Sequence, residues 1–191
     1  MIDNANGYEE HAHPFLRARN ASIGPDAVAG WAARFKPGAH VLELGCGFGV
    51  ISKVLLDANL TLTALDASPT LIQVFRERFP GVETACCKVE ESSLFEREFD
   101  GVVAWGLLFL LDEPTQRRVL QLSAGALKPG GQLLFTAPKQ AAQWNDSLTG
   151  RQSFGLGADA YESILRKHGL EIGPGFLDTG DNYYYLGTRP L

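Results

Sequence analysis

Apolar strands and amphipathic helices alternate along most of the chain. Residues 41–44 form a short apolar run that fits a buried parallel strand, and Ile51 and Leu55 follow it at helical spacing. A second strand over 60–65 leads into another amphipathic helix. This alternation predicts an α/β protein with an open, doubly wound, mostly parallel sheet covered by helices on both faces.

The same pattern continues to the end of the chain. Further strands are predicted at 82–87, 99–105, 132–136, 170–177 and 182–188, and further helices from Pro25, over 119–127 and over 158–168. Two polar loops are predicted, at 88–93 and 138–157, and a loop as long as the second is often functional.

We interpret residues 1–191 as a single domain. Residues 1–24 carry polar and aromatic side chains without a clear period, which indicates an N-terminal cover segment. Residues 25–191 then form the core. A hydrophobic fraction of 45% in 191 residues is ordinary for one globular domain of this size.

Charge and composition exclude several classes of protein. The net charge of −5, without any basic run, disfavours a nucleic acid partner. No apolar run is long enough to span a membrane, and the N-terminus does not resemble a secretory signal, so a cytoplasmic protein is expected. Three cysteines, of which two are adjacent, fit neither a disulfide framework nor a metal site.

The stretch with the clearest chemistry is the turn at 43–49, Glu-Leu-Gly-Cys-Gly-Phe-Gly. Its glycines allow positive φ angles and let a ligand lie directly against the backbone. The following helix aims its N-terminal amides at that ligand. The spacing is G-x-G-x-G, with Val50 at the third glycine position of the dinucleotide fingerprint G-x-G-x-x-G. Glu43 would repel a pyrophosphate, but it suits a ligand that carries an ammonium or sulfonium group.

Asp66 is the second residue expected to bind the ligand. It ends the second strand, 17 positions after Gly49. A doubly wound sheet places there the carboxylate that accepts hydrogen bonds from the ribose hydroxyls of an adenosine. The alternative is that Asp66 only caps the helix that begins near Pro69.

The 43–49 turn closely resembles the signature loop of the class I methyltransferases that use S-adenosylmethionine. The resemblance extends from about residue 26 onward and implies a Rossmann-like, three-layer fold with seven strands, of which the last is antiparallel. It also implies methyl transfer from S-adenosylmethionine, which leaves S-adenosylhomocysteine as product. The candidate cofactor-binding residues are Glu43, Gly45, Cys46, Gly47, Gly49, Asp66, Ala67, Val89, Glu90, Ala104 and Trp105.

The chain departs from the resembled family at two positions. Lys88 stands where the family usually has an Asp that meets the adenine amino group, so that contact would pass to the Val89 amide and the Glu90 side chain. Phe109 stands where many relatives have a His, so no general base is expected there.

The methyl acceptor is expected to be a small molecule held by residues outside the regular core. The candidates are Tyr8, His13, Arg19, Phe109, Trp144 and Tyr183. For all of these a surface or packing role is the alternative. Two other functions remain open from the sequence, a nicotinamide-dependent oxidoreductase and a cofactor-binding partner subunit without chemistry of its own. No metal is expected.

Overall fold

The computed structural model describes residues 5–18 and 24–191, which contain six helices and ten strands. The helices are α1 (Ala12–Ala18), α2 (Pro25–Ala32), α3 (Val50–Asp57), α4 (Pro69–Arg78), α5 (Glu113–Gly125) and α6 (Ala158–Lys167). The strands are β1 (His40–Leu44), β2 (Thr61–Asp66), β3 (Glu83–Cys86), β4 (Phe99–Ala104), β5 (Leu127–Thr136), β6 (Ala141–Asn145), β7 (Gln152–Leu156), β8 (Glu171–Ile172), β9 (Phe176–Leu177) and β10 (Tyr183–Thr188). Short 3-10 turns cover Val89–Glu91, Ser93–Glu96 and Leu108–Leu110.

The main sheet has the strand order β3-β2-β1-β4-β5-β10, and β8 and β9 both pair with the outer edge of β10. The first five strands of this order are parallel, whereas β10 is antiparallel to β5. Strands β8 and β9 are two residues each and lie one after the other along the same edge of β10, so together they occupy one strand position. The sheet therefore has seven strand positions. The predicted doubly wound, Rossmann-like sheet with its last strand antiparallel is therefore confirmed.

Each face of the sheet is covered by its own set of helices. Alternate residues of β1 point to opposite faces, so Val41 packs with α2, α3 and α4, whereas Leu42 packs with α5 and α6. Both residues are fully buried. In this three-layer arrangement the carboxyl ends of the parallel strands all meet at one edge, where a doubly wound fold binds its ligands.

The segment 138–157 differs from its prediction as a long polar loop. It contains the strands β6 and β7, which form a separate two-stranded antiparallel sheet. Residues 141–143 on β6 are exposed, so β6 has no apolar face that would have marked it as a strand. We call residues 141–156 the hairpin.

Smaller differences occur elsewhere. The N-terminal segment contains α1, and β5 begins at Leu127, so residues 128–131 belong to an irregular part of that strand rather than to a turn. The strand predicted at 170–177 is interrupted between β8 and β9. In the described part of the chain, none of the helices is long and apolar enough to cross a membrane.

Candidate active site

A cavity of about 650 Å³ lies at the carboxyl ends of the parallel strands. One end is formed by the turns after β1, β2 and β3, and the other by the loop after β4, the hairpin, the loop at 178–182 and the N-terminal segment. We call residues 5–18 the strap, because they cross the cavity from one end to the other. The site thus has a floor of regular strands and a roof of irregular or peripheral segments.

The glycine turn after β1 forms the floor. Gly45, Gly47 and Gly49 all have positive φ angles, of 69°, 54° and 89°. Gly45 and Gly47 line the cavity. Gly49 does not line it, and a Cβ at that position would overlap the Phe79 ring. Gly49 therefore allows α3 to pack closely against α4, and the other two glycines leave the backbone open to a ligand.

The Asp66 carboxylate is oriented by the backbone around it. Its Oδ2 accepts a hydrogen bond from the Gly47 N–H at 2.8 Å, and its Oδ1 accepts one from the Ser68 N–H at 2.9 Å. Burial raises the pKa of Asp66, although these N–H groups favour the carboxylate. The N-cap of α4 is Ser68, whose hydroxyl accepts from the Leu71 N–H. The capping alternative for Asp66 is therefore not what the geometry shows.

Glu43 is buried beside the turn and has one polar side-chain partner. Only 3% of the residue is exposed, and the Ser52 hydroxyl on α3 donates to its Oε2 at 2.5 Å. Burial raises the pKa of Glu43 to about 8, against the effect of the Ser52 hydrogen bond and together with the negative charge of Asp66. Glu43 is thus mostly protonated at neutral pH in the unliganded protein.

The loop after β4 is fixed by an aromatic network. The Trp105 indole N–H donates to the Tyr184 hydroxyl at 2.7 Å, and this hydroxyl donates to Asp178 Oδ2 at 3.0 Å. The Trp105 ring also lies against Gly24, where a Cβ would come within 2.6 Å of it. Trp105 lines the cavity and is held rigidly there.

The strap is bound to the floor through Glu9. The Glu9 carboxylate accepts hydrogen bonds from the Ser68 hydroxyl and from the Thr70 hydroxyl and N–H at the start of α4. Burial opposes ionisation of Glu9, but these bonds hold its pKa below the ordinary value. At the other end of the cavity, the Asn6 amide N–H donates to the Leu110 carbonyl at 2.8 Å.

Aromatic packing and further polar contacts complete the roof. Phe15 lies on the glycine turn, with its ring edge-on to the rings of Tyr8 and Phe48 at centroid distances of 5.3 and 5.7 Å. Tyr8 also reaches Asp146 in the loop of the hairpin, at 3.5 Å. The strap therefore connects the glycine turn, the start of α4 and the hairpin across one cavity.

A fully buried amide holds two walls of the cavity together. Gln116 on α5 donates to the carbonyls of Leu111 and Phe154, at 2.8 and 2.9 Å. Its oxygen accepts from the Tyr161 hydroxyl at 2.7 Å, and this hydroxyl accepts from the Leu156 N–H at 3.1 Å. These bonds fix the hairpin relative to the loop after β4.

Most of the predicted site residues meet at this cavity. It is lined by Glu43, Gly45, Cys46, Gly47, Asp66, Ala67, Val89, Glu90, Trp105, Tyr8 and Phe109. Of the others, Gly49 and Ala104 do not line it, and Ala104 is fully buried in the core. Arg19 lies outside the described residues.

Three of the predicted substrate residues lie away from the cavity wall. His13 is exposed on α1. Trp144 reaches the site only through the Phe109 ring, at a centroid distance of 5.8 Å. Tyr183 carries Lys139 over its ring, 4.9 Å from the centroid, and packs edge-on against Tyr185. None of the three lines the cavity, and their contact with substrate stays a prediction.

The sequence did not identify several residues that line the cavity. They are chiefly Asn6, Phe15, Asp112, Gln152, Phe154 and Asn182. None of these belongs to a recurring motif. Phe154 and Asn182 come from segments whose position depends on tertiary packing, so no local signal indicated them. Among the described residues no group of His, Cys, Asp and Glu could hold a metal ion.

Comparison with known proteins agrees with this geometry. Residues 41–131 match the family model described as a methyltransferase domain. A ubiquinone biosynthesis O-methyltransferase from Xanthomonas axonopodis pv. citri (strain 306) is 32% identical over 121 residues, which cover 60% of this chain and 50% of the relative. The chain thus matches about half the length of this relative.

Solved structures show the same fold. Magnesium protoporphyrin IX methyltransferase from Synechocystis PCC 6803, with bound S-adenosylmethionine, superposes with a TM-score of 0.73 at 15% identity, covering 93% of this chain and 83% of that one. An amino pentose methyltransferase from Micromonospora echinaspora gives 0.70 at 18% identity, covering 91% and 93%. Residues 41–131, which contain the glycine turn and Asp66, thus match a methyltransferase domain, and the chain has the fold of the class I S-adenosylmethionine-dependent methyltransferases.

Proposed function

We propose that the protein transfers the methyl group of S-adenosylmethionine to a small molecule. The observation that carries this proposal is the single cavity that joins the glycine turn and Asp66 to a second, roofed compartment beyond β4. A volume of about 650 Å³ lies within the range of small-molecule sites.

The residues present fit the cofactor at one end of the cavity. A carboxylate offers about four lone-pair positions, and the Gly47 and Ser68 amides use two of those on Asp66. The remaining two suit the ribose hydroxyls. The wall formed by Val89 is apolar and suits the adenine, with the Val89 amide and Glu90 as its polar contacts. Gly45, Gly47 and Cys46 lie where the methionine part would rest.

Glu43 supports the choice of cofactor. A buried carboxyl beside the glycine turn suits the ammonium group of an amino acid, and repels a pyrophosphate when it ionises. The acidic pair of Glu43 and Asp66 therefore disfavours the nicotinamide alternative, and the match to the methyltransferase model also supports methyl transfer.

The protein contributes position rather than acid–base groups. S-adenosylmethionine, when bound, supplies a methyl group already activated on a positive sulfur. Trp105 and Phe109 would form a wall beside the acceptor, and the strap would shield the compartment in part from water. Among the described lining residues there is no His.

Calorimetric titration with S-adenosylhomocysteine, S-adenosylmethionine and NAD tests the proposal. Both sulfur nucleosides should bind, and NAD should not, because Val50 stands at the third glycine position of the dinucleotide fingerprint, at the helix start that a pyrophosphate would approach. Binding of NAD without binding of S-adenosylhomocysteine would contradict it.

We further infer that the protein works in a reducing, cytoplasmic setting and without a nucleic acid partner. The three free cysteines and the net charge of −5 support this setting.

A further inference from the structure

The cavity divides into two compartments according to the strands below it. The turns after β1, β2 and β3 contribute the glycines, Asp66 and Glu90, whereas the second compartment lies beyond β4 and β5. This second compartment is enclosed by the strap, the loop after β4, the hairpin and the loop at 178–182. The chemistry of these four segments determines which acceptor can enter.

The amide side chains of this compartment leave their oxygens for a ligand. Asn6 uses its N–H to bind the Leu110 carbonyl. The Asn182 amide nitrogen lies 3.1 and 2.9 Å from the two carboxylate oxygens of Asp178. Since carbonyls and carboxylates only accept hydrogen bonds, both amides are oriented with nitrogen toward the protein. For a ligand, Asn182 retains its acceptor oxygen, and Asn6 retains its acceptor oxygen and one N–H.

Charge points in the same direction. The described residues that line the whole cavity include four acidic side chains, Glu43, Asp66, Glu90 and Asp112, and one basic side chain, Lys88. Lys88 lies at the cofactor end, near Glu91 at 3.9 Å. The second compartment contains Asp112, and among its described lining residues no Lys, Arg or His. Although Asp112 is exposed, this charge favours a cation over a carboxylate or phosphate in the compartment.

The remaining walls of the compartment are apolar. Phe15, Phe109 and Phe154 line it together with Leu107, Leu110 and Leu111. Such walls suit a ligand with an aromatic or aliphatic body.

From these observations we propose that the methyl acceptor is a small amine with an apolar body. This inference rests on the proposed function and specifies its substrate. The amine binds as an ammonium ion and releases one proton to solvent; its nitrogen, now a free base, forms a bond to the methyl carbon while the carbon–sulfur bond breaks and its electron pair stays on sulfur. The product is a methylammonium ion, which loses its extra proton to solvent. Asn6, Asn182 and Asp112 orient the N–H groups before the reaction.

Three probes of equal size test the proposal: 2-phenylethylamine, 2-phenylethanol and phenylacetate. The full-length protein is first saturated with S-adenosylhomocysteine, and the affinity of each probe is measured by calorimetry. The amine should bind at least about tenfold more tightly than the acid, and more tightly than the alcohol. With S-adenosylmethionine, the amine should be converted to its N-methyl product, detected by mass spectrometry. The proposal is overturned if the three affinities are equal or their order is reversed, or if the amine does not bind at concentrations up to about 10 mM.

A matched pair of variants gives a readout that a purely structural role would not produce. Asp112 caps α5 through the Thr115 N–H at 2.9 Å, and asparagine caps helices equally well. Asp112→Asn should lower the affinity for the amine about two- to fivefold and raise that for the acid. Asp159→Asn, in the first turn of α6 and away from the cavity, is the control and should change neither.

The two proposals fail in different ways. If S-adenosylhomocysteine binds but the alcohol or the acid is the better ligand, only the amine assignment is wrong. If S-adenosylhomocysteine itself does not bind, the proposed function is wrong as well. Parallel shifts of amine and acid affinity in Asp112→Asn would also overturn the amine assignment, because only a charge effect moves them in opposite directions.

Discussion

Binding of the cofactor should release a proton from Glu43. The pKa of about 8 means that roughly nine-tenths of the unliganded molecules carry this proton at pH 7. The ammonium group of S-adenosylhomocysteine, placed beside the glycine turn, favours the ionised form. If it lowers the pKa by about 2 units, which corresponds to about 2.7 kcal/mol of interaction, about 0.8 proton is released per ligand bound.

Calorimetry in buffers with different ionisation enthalpies measures this release. Titrations with S-adenosylhomocysteine at pH 7 in phosphate and in Tris give the number of protons from the difference in binding enthalpy. The isosteric variant Glu43→Gln cannot lose a proton, and is the control for protons released by the ligand itself. As the pH is raised toward 8, the affinity of the wild-type protein for S-adenosylhomocysteine should increase about tenfold per pH unit. This holds over the range in which Glu43 is protonated in the unliganded protein but ionised in the complex.

An equal proton release in wild type and Glu43→Gln would refute this reasoning. So would an affinity that does not change between pH 6.5 and 8. Either result would mean that Glu43 is already ionised without ligand, or that the cation of the ligand lies elsewhere.

Three further predictions concern the wider site. The pKa of Glu43 is raised from 4.5 to about 8 by folding, so its contribution to stability is fully present below pH 4.5 and is lost as the pH rises toward 8. Between pH 4.5 and 7 the unfolding free energy of the unliganded wild type should therefore fall by about 3 kcal/mol relative to that of Glu43→Gln. Urea titrations of both proteins measure this difference. Asp66→Ala should weaken S-adenosylhomocysteine binding by about 1.5–3 kcal/mol while the protein still folds; unchanged affinity with lower melting would contradict its role. Tyr161→Phe leaves two buried partners unpaired, so hydrogen exchange should rise in 141–156 while 5–18 still gains protection on cofactor binding.

The floor of the site could be predicted from sequence because it depends on local patterns. The run at 41–44 and the glycines after it determine a strand, a turn and a helix start within a few residues. Asp66 follows from the same logic, since it ends a strand next to β1 in a doubly wound sheet. These residues lie where the pattern placed them.

The roof could not be predicted in the same way. Gln116 looks like any polar residue on a helix, and its role appears only when the hairpin and the loop after β4 are packed against it. Glu9 likewise depends on partners about 60 positions away. The aromatic side chains of Trp144 and Tyr183 suit substrate binding by their chemical type. Whether they face the cavity depends on how their strands pair, which composition does not indicate.

The strap also has a consequence for how the site is completed during synthesis. Its residues are made before all of these partners: Ser68 and Thr70 follow Glu9 by 59 and 61 positions, Leu110 follows Asn6 by 104, and Asp146 follows Tyr8 by 138. Until the hairpin has been translated, the strap can contact the start of α4 and Leu110, but Tyr8 lacks its partner Asp146. The roof over the acceptor compartment is therefore completed only after β6 and β7 have been made, later than the cofactor end of the cavity.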